Sequence, residues 1–324
     1  MKTLYLDCFS GISGDMFIGA LIDAGGDPDY LKEQLKKLHL EAEYELVWNK
    51  TIKNGITGTK FDVLLNSQHE HNHEHHHHGH SHDHGHDHHH EHSHDHEQHH
   101  EHSHDPEHSH DHGHNHHHEH SHDHGHDHHH EHSHDHGHHH HHEHSHDHGH
   151  EHHHHEHRSY REIVRMIDAT DFSSQVKTTA LNIFKKIGEA EALIHGIPLD
   201  RVHFHEVGAV DSIIDIVGAA ILLEHMQITS VKCSPIPVGS GKIKIDHGIY
   251  PVPAPATLEI LKGIPLEHSN IRGELTTPTG AALAAVLAED FGTLPAMKVQ
   301  AVGYGAGTKS FQDQPNVLRV IIGQ

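Results

Sequence analysis

The spacing of apolar residues changes period several times along the first 66 positions. TLYLDCFSG (3–11) is a short apolar run that ends in a Ser/Gly turn, which predicts a strand. GDMFIGALIDAG (14–25) puts Met16, Phe17, Ala20 and Leu21 at helical spacing and stops at Gly25-Gly26. A second helix is predicted over 27–40, with Asp27 as its cap and Pro28 at its first position. Residues 44–66 then read as two strands turned at Asn54-Gly55.

From residue 158 the periodic pattern resumes. Residues 159–170 and 173–196 read as helices, the second carrying one apolar stripe of Val176, Ala180, Ile183, Ile187 and Ile194. VGAVDSIIDIVGAAILLEHM (207–226) is almost wholly apolar and predicts a buried helix. SVKCSPIPV (230–238), PAMKVQAVGYG (295–305) and NVLRVIIG (316–323) read as strands. TPTGAALAAVLAEDFG (277–292) reads as a helix capped by Thr277 with Pro278 following, and GYGAG (303–307) as a turn between strands. Helices and strands alternate, so the expected fold class is an α/β (or α+β) globular domain.

Between the two periodic parts the pattern disappears. Residues 69–157 hold 52 of the 59 histidines and twenty Asp and Glu, with no Lys, Arg, aliphatic residue, Phe, Tyr or Trp. HSHDHGHDHHHEHSHDH at 80–96 returns letter for letter at 120–136, which reads as repeat expansion and not a solenoid, since neither copy has an apolar face to stack. With nothing to bury, this stretch is expected to be a long disordered insertion at the surface. The globular domain is then built from 1–68 and 158–324.

Charge narrows the function classes. The histidine-rich stretch carries −20 of the formal −25, leaving about −5 for the other 235 residues. Neither part is basic, which argues against a nucleic-acid groove. No apolar run reaches the roughly 20 residues needed to cross a bilayer, so no membrane partner is expected. MKTLYLDCFSG lacks a signal-peptide pattern, and two cysteines, Cys8 and Cys233, make no disulfide framework. A reducing, cytoplasmic setting is expected, with both cysteines as small core residues.

Candidate chemistry centres on HFHEVGAVDSIID (203–215). His203 and His205 are two apart, so on extended backbone both imidazoles face one side; Glu206 follows at once. Asp211 and Asp215 lie one turn apart on the apolar helix, where two carboxylates are costly unless something positive meets them. Imidazole and carboxylate together suit a borderline divalent ion such as nickel or zinc. The plainer alternative has Asp211 favoured by the helix dipole and the histidines bonded to backbone.

Two Ser/Thr-rich turns could cradle a phosphate at a helix N-terminus. One comprises Ser10, Gly11, Ser13, Gly14 and Asp15; the other comprises Thr276, Thr277 and Thr279. Simple turn formation and capping would use the same residues. The loop around His247, rich in glycine and proline, reads as stiff and exposed. The histidine-rich stretch, His69 to His157, offers many imidazoles in a negative field but no single geometry, which is the character of a metal reservoir.

YLDCFSGISGDMFIGALIDAG, HFHEVGAVDSIIDIVGAA, HGIYPVPAPATLEILKG, GELTTPTGAALA and GYGAG…PNVLRVIIG together resemble the LarC family, the nickel-insertion proteins of lactate racemase maturation. The resemblance covers essentially all of the folded 235 residues. It implies a lyase-class cyclometallase that inserts Ni(2+) into pyridinium-3,5-bisthiocarboxylic acid mononucleotide, yielding the nickel-pincer cofactor and consuming cytidine triphosphate (CTP) with magnesium or manganese. It also implies an apo lactate racemase as recipient and a further C-terminal domain that binds CTP, expected either on a separate C-terminal polypeptide of the family or on a longer form of this chain.

On this reading His203, His205, Glu206 and Asp211 are the expected metal donors. Glu206, Asp211 or a freed imidazole is the expected general base, and the phosphate cradle is expected at the 10–15 turn, through Ser10, Gly11, Ser13 and Gly14, or else at the 276–279 turn. A non-catalytic nickel-storage protein or metallochaperone is the rival reading. A metal-dependent phosphohydrolase built on Asp7 and the acids of 203–215 is a third.

Overall fold

Strand β1 (Thr3–Asp7) opens the chain, followed by helices α1 (Gly14–Asp23) and α2 (Pro28–Leu35) and the paired strands β2 (Tyr44–Lys53) and β3 (Ile56–Leu65). Beyond the histidine-rich stretch come α3 (Tyr160–Ala169), α4 (Ser174–His195), α5 (Val210–His225), β4 (Ser230–Cys233), β5 (Ile236–Pro237) and β6 (Gly239–Ser240). Next are the hairpin β7 (Lys242–Ile245) and β8 (Gly248–Pro251), then α6 (Pro255–Ile260), β9 (Leu266–Glu267) and β10 (Gly273–Glu274). The chain finishes with α7 (Pro278–Leu287), β11 (Asp290–Phe291), β12 (Val299–Ala306) and β13 (Val317–Gly323). The computed structural model describes residues 1–66, 158–204, 207, 209–245 and 247–324. The expectation of disorder over 69–157 lies outside the described residues, as do His205 and Glu206.

Helix and strand are mixed around one seven-stranded sheet, in the order β11-β4-β1-β13-β12-β3-β2. β1 runs parallel to β4 and antiparallel to β13, with Leu4 opposite Ile322 and Leu6 opposite Val320. β1 and β13 are buried along most of their length, as their largely apolar runs require, with Arg319 interrupting the run in β13. Cys8 and Cys233 are buried in this core, sulfur to sulfur 3.6 Å apart. Among the described residues no helix is long and apolar enough to cross a membrane.

The expected cap of α2 forms, and further local bonds fix the neighbouring segments. The Asp27 carboxylate accepts from the Asp29 and Tyr30 amides at 3.0 Å, with Pro28 at the first position of α2. Helix α3 is closed by a capping box between Ser159 and Glu162. The residues flanking the histidine-rich stretch meet at Glu43: Asn66 donates its amide to the Glu43 carbonyl at 2.8 Å, and Arg158 grips the Glu43 carboxylate at 2.7 and 2.8 Å.

Other expectations fail. GYGAG is not a turn but lies largely within β12, and its glycines serve close packing. A Cβ on Gly305 would stand 1.8 Å from the Met16 carbonyl oxygen, and one on Gly303 2.2 Å from that of Ala20. Helix α1 therefore lies directly on the sheet because those positions have no side chain. The strand expected over 230–238 is split at Ser234-Pro235, where proline cannot donate to the ladder. The expected helix over 277–292 ends at Leu287, and Asp290–Phe291 joins the sheet edge beside β4. Ile194, last of the α4 stripe, is 42% exposed.

The packing of α1 gives a direct test. Gly305→Ala should destabilise the protein by about 2–3 kcal/mol through backbone overpacking. Gly292→Ala, where an added Cβ meets nothing within 4 Å, should stay within about 0.5 kcal/mol of the parent. Chemical denaturation of both variants measures the contrast, and equal stability would refute the packing argument.

Candidate functional site

A pocket of about 380 Å³ opens where the N-terminal turns of α1, α5 and α7 converge opposite β3. Helix α1 contributes Ser13, Gly14 and Asp15, α5 contributes Asp211 and Asp215, and α7 contributes Thr277 and Thr279. Lys60 and Asp62, two apart on β3 and hence on one face, complete the polar wall together with Glu274.

Lys60 is the hub of the ion pairs. Its ammonium lies 2.7 Å from the Asp15 carboxylate and 2.6 Å from that of Asp62, and its side chain is only 16% exposed. Burial alone would push the amine down, but the two carboxylates outweigh it and hold the pKa above the ordinary lysine value. The Ser13 hydroxyl donates to Asp15 and makes no side-chain cap to its own helix.

Asp215 stands apart from this network. It is half-buried as a residue, yet its Oδ1 is sealed from solvent without a hydrogen-bond partner among the described residues. Its carboxyl presses on the start of α1, where a Cβ on Gly14 would sit 2.3 Å from Oδ2. Burial first, and then the nearby charges of Asp15 and Asp211, drive its pKa well above the usual carboxylate range; Lys60 opposes them only in part. Asp211 and Asp215 are four apart on α5, a spacing that sets like charges against each other.

Four carboxylates, with Asp215 pushed towards its neutral form beside them, stand against one ammonium, so this wall attracts cations. Among the described residues no three His, Cys, Asp or Glu side chains are grouped closely enough to hold a metal ion.

The structure brings together Ser13, Gly14, Asp15, Asp211, Asp215, Thr277 and Thr279 from the expected candidates and sets others aside. Ser10 is buried, donating to the Pro315 carbonyl at 2.6 Å and accepting from Gln314 at 2.6 Å. Gly11, at φ +87°, turns the chain tightly against Leu275. Thr276 is buried with its hydroxyl on the Pro237 carbonyl at 2.7 Å. None of these three lines the pocket.

His203 is exposed and bridges Ser159 through its backbone. Its imidazole, behind the dominant Ser159 hydrogen bonds, helps to hold the Glu162 carboxyl below its usual range. It too is not among the residues that line the pocket. Asp7 is paired with Arg319, which leaves it poorly placed for the hydrolase reading. The sequence reading missed Lys60, Asp62 and Glu274. The available signal was a pair of opposite charges at period two in the strand ITGTKFDVLL.

The family model described as "Nickel insertion protein" matches residues 4–324. A Geobacillus kaustophilus (strain HTA426) protein named "Pyridinium-3,5-bisthiocarboxylic acid mononucleotide nickel insertion protein" is 42% identical over 324 residues, covering 100% of this chain and 60% of the relative. A Clostridium kluyveri protein of the same name is 39% identical, covering 100% of this chain and 62% of the relative. A Dictyoglomus thermophilum "Putative nickel insertion protein" is 36% identical, covering 100% and 61%. The chain thus spans about 60% of the length of the curated relatives it matches. No solved structure matches it.

Asp215 makes the stability of the metal-free protein depend on pH in a defined direction. A carboxyl whose folded pKa is raised keeps its proton in the native state while the unfolded chain loses it, so stability falls as pH rises past the ordinary carboxylate value near 4. Asp215→Asn removes that cost. Its unfolding temperature should exceed that of the parent at pH 7, with the gain shrinking towards zero by about pH 4. Thermal melts across that range in the presence of a chelator provide the check.

Proposed function

Since the chain belongs to the nickel insertion protein family, we propose that it places nickel(II) into pyridinium-3,5-bisthiocarboxylic acid mononucleotide and that the carboxylate pocket holds the ion before transfer. Asp215 carries this reading. A carboxyl oxygen sealed in a cluster of like charges, without a partner, is a position that a cation relieves.

The donor chemistry supports transfer in one direction. Carboxylate oxygens grip a borderline ion more weakly than the two thiocarboxylate sulfurs of the substrate, so nickel moves downhill from protein to product. Asp15, Asp211 and Asp215, not grouped closely enough in the structure to hold an ion, are proposed to draw together around it as oxygen donors. His205 and Glu206, which precede the pocket residue Val207 in the chain, are proposed to add nitrogen and a further oxygen. As the nickel–carbon bond forms, the ring C–H bond breaks and its proton passes to Glu206 or Asp211, with nickel remaining divalent. Thr277 and Thr279 at the start of α7 are the proposed phosphate contacts.

The histidine-rich stretch serves as a reservoir of exchangeable nickel. CTP, with magnesium or manganese, is assigned to the remainder of the longer relatives or to a separate polypeptide carrying it, and an apo lactate racemase to the role of recipient. The setting proposed is the cytoplasm.

Nickel-pincer formation, followed by mass spectrometry with that remainder, CTP and magnesium supplied, tests the proposal. Asp215→Asn should retain most of the bound nickel yet lower product formation by at least about 100-fold, the scale of a lost electrostatic contact in a reaction centre. Product at the parental rate would remove the pocket from the reaction and leave the storage reading in its place. Deleting 69–157 should reduce the nickel bound per chain but leave product formation at saturating nickel within about twofold, as expected of exchangeable sites that do not orient the reaction.

A further inference from the structure

A second cavity, of about 300 Å³, lies between the last turn of α4, the β7–β8 hairpin and the starts of α6 and α7. We propose that it receives a flat cationic ring of the N-ribosylated pyridinium class, with Glu191 as the counter-charge. This deepens the proposed function and takes the identity of the ring from it.

The first ground is the character of the walls. Ile194, Ile245 and Pro255 give apolar surface, and Tyr250, His195 and His247 give aromatic edges and faces. His195 and His247 meet edge to face, 5.1 Å between centroids at 63°. Ile194 has the spacing of the buried α4 stripe yet is exposed into this cavity, so a ligand that covered it would complete a burial that the domain leaves open.

The second ground is charge. Glu191 is the one carboxylate among the described residues of this wall, 17% exposed, and lies 3.3 Å from the His195 Nε2. Burial, offset only in part by the neighbouring imidazoles of His195 and His247, holds its carboxyl above the usual range. An anionic ligand would add a like charge beside it, and a neutral one would bring it no counter-charge. A flat cation meets both features, stacking on aromatic faces while its charge faces the carboxylate.

The third ground is position. Pro278 lines this cavity and the carboxylate pocket alike. A ring bound here therefore adjoins the place proposed for the ion that is to be joined to it.

Nicotinamide mononucleotide and its reduced dihydropyridine form share sugar and phosphate and differ in ring charge. Equilibrium dialysis against the full chain, without nickel, should show the oxidised form binding at least about tenfold more tightly, a preference of about 1.4 kcal/mol. Glu191→Gln should bring the ratio to within about twofold while leaving the affinity of the reduced form unchanged. Tyr250→Leu, a second and independent variant, should weaken the oxidised form by about fivefold through loss of the ring face. Equal binding of the two forms to the parent, no binding of either, or an unchanged ratio in a folded Glu191→Gln chain would each overturn the proposal. Because no metal is present, failure here leaves nickel transfer untouched, and loss of transfer in Asp215→Asn leaves ring binding untouched.

Discussion

The carboxylate pocket exists because two helices are allowed to touch their neighbours backbone to side chain and backbone to backbone. A Cβ on Gly14 would collide with the Asp215 carboxyl, and a Cβ on Gly280 would lie 1.9 Å from the Ile12 carbonyl oxygen. Remove either freedom and the starts of α1, α5 and α7 could no longer converge. The amide of Thr277 donates to that same Ile12 carbonyl at 3.1 Å, tying α7 to the turn that leads into α1. Local backbone chemistry thus decides where the acids of three separate segments stand.

That convergence has an electrostatic consequence. Acids in the first turn of a helix are favoured by its dipole, which accounts for Asp15 and Asp211 without reference to function. Asp215 lies one turn deeper, beyond that help, and among the described residues it faces carboxylates that Lys60 opposes only in part. Lys60 is already committed to Asp15 and Asp62. A domain selected for stability alone would have no use for such an acid, and local conflict of this kind is where sites are commonly found.

On the proposed reading, the protein uses the same donor types in two physically different ways. The histidine-rich stretch would contribute by number, its many imidazoles acting as exchangeable sites. Around the carboxylate pocket and the neighbouring cavity, a few groups are fixed by helices whose own positions are fixed by the core. Capacity tolerates repeat expansion, because each added imidazole acts alone. A site does not, because each member depends on the placement of the others.

Composition and periodicity alone marked out the histidine-rich stretch between two periodic parts, the alternation of helix and strand, the Asp27 and Thr277 caps, and Asp215 as a costly acid on an apolar helix. Those are local properties, set by spacing and by the chemistry of single residues. Tertiary structure alone decided that Ser13 and Asp15 face Lys60 while Ser10 and Thr276 are spent on backbone carbonyls, that GYGAG packs a helix instead of turning a chain, and that Ile194 opens into a cavity with Glu191. The reason is that a side chain's partners depend on which distant strands pair, and no periodicity within a segment encodes the register between segments.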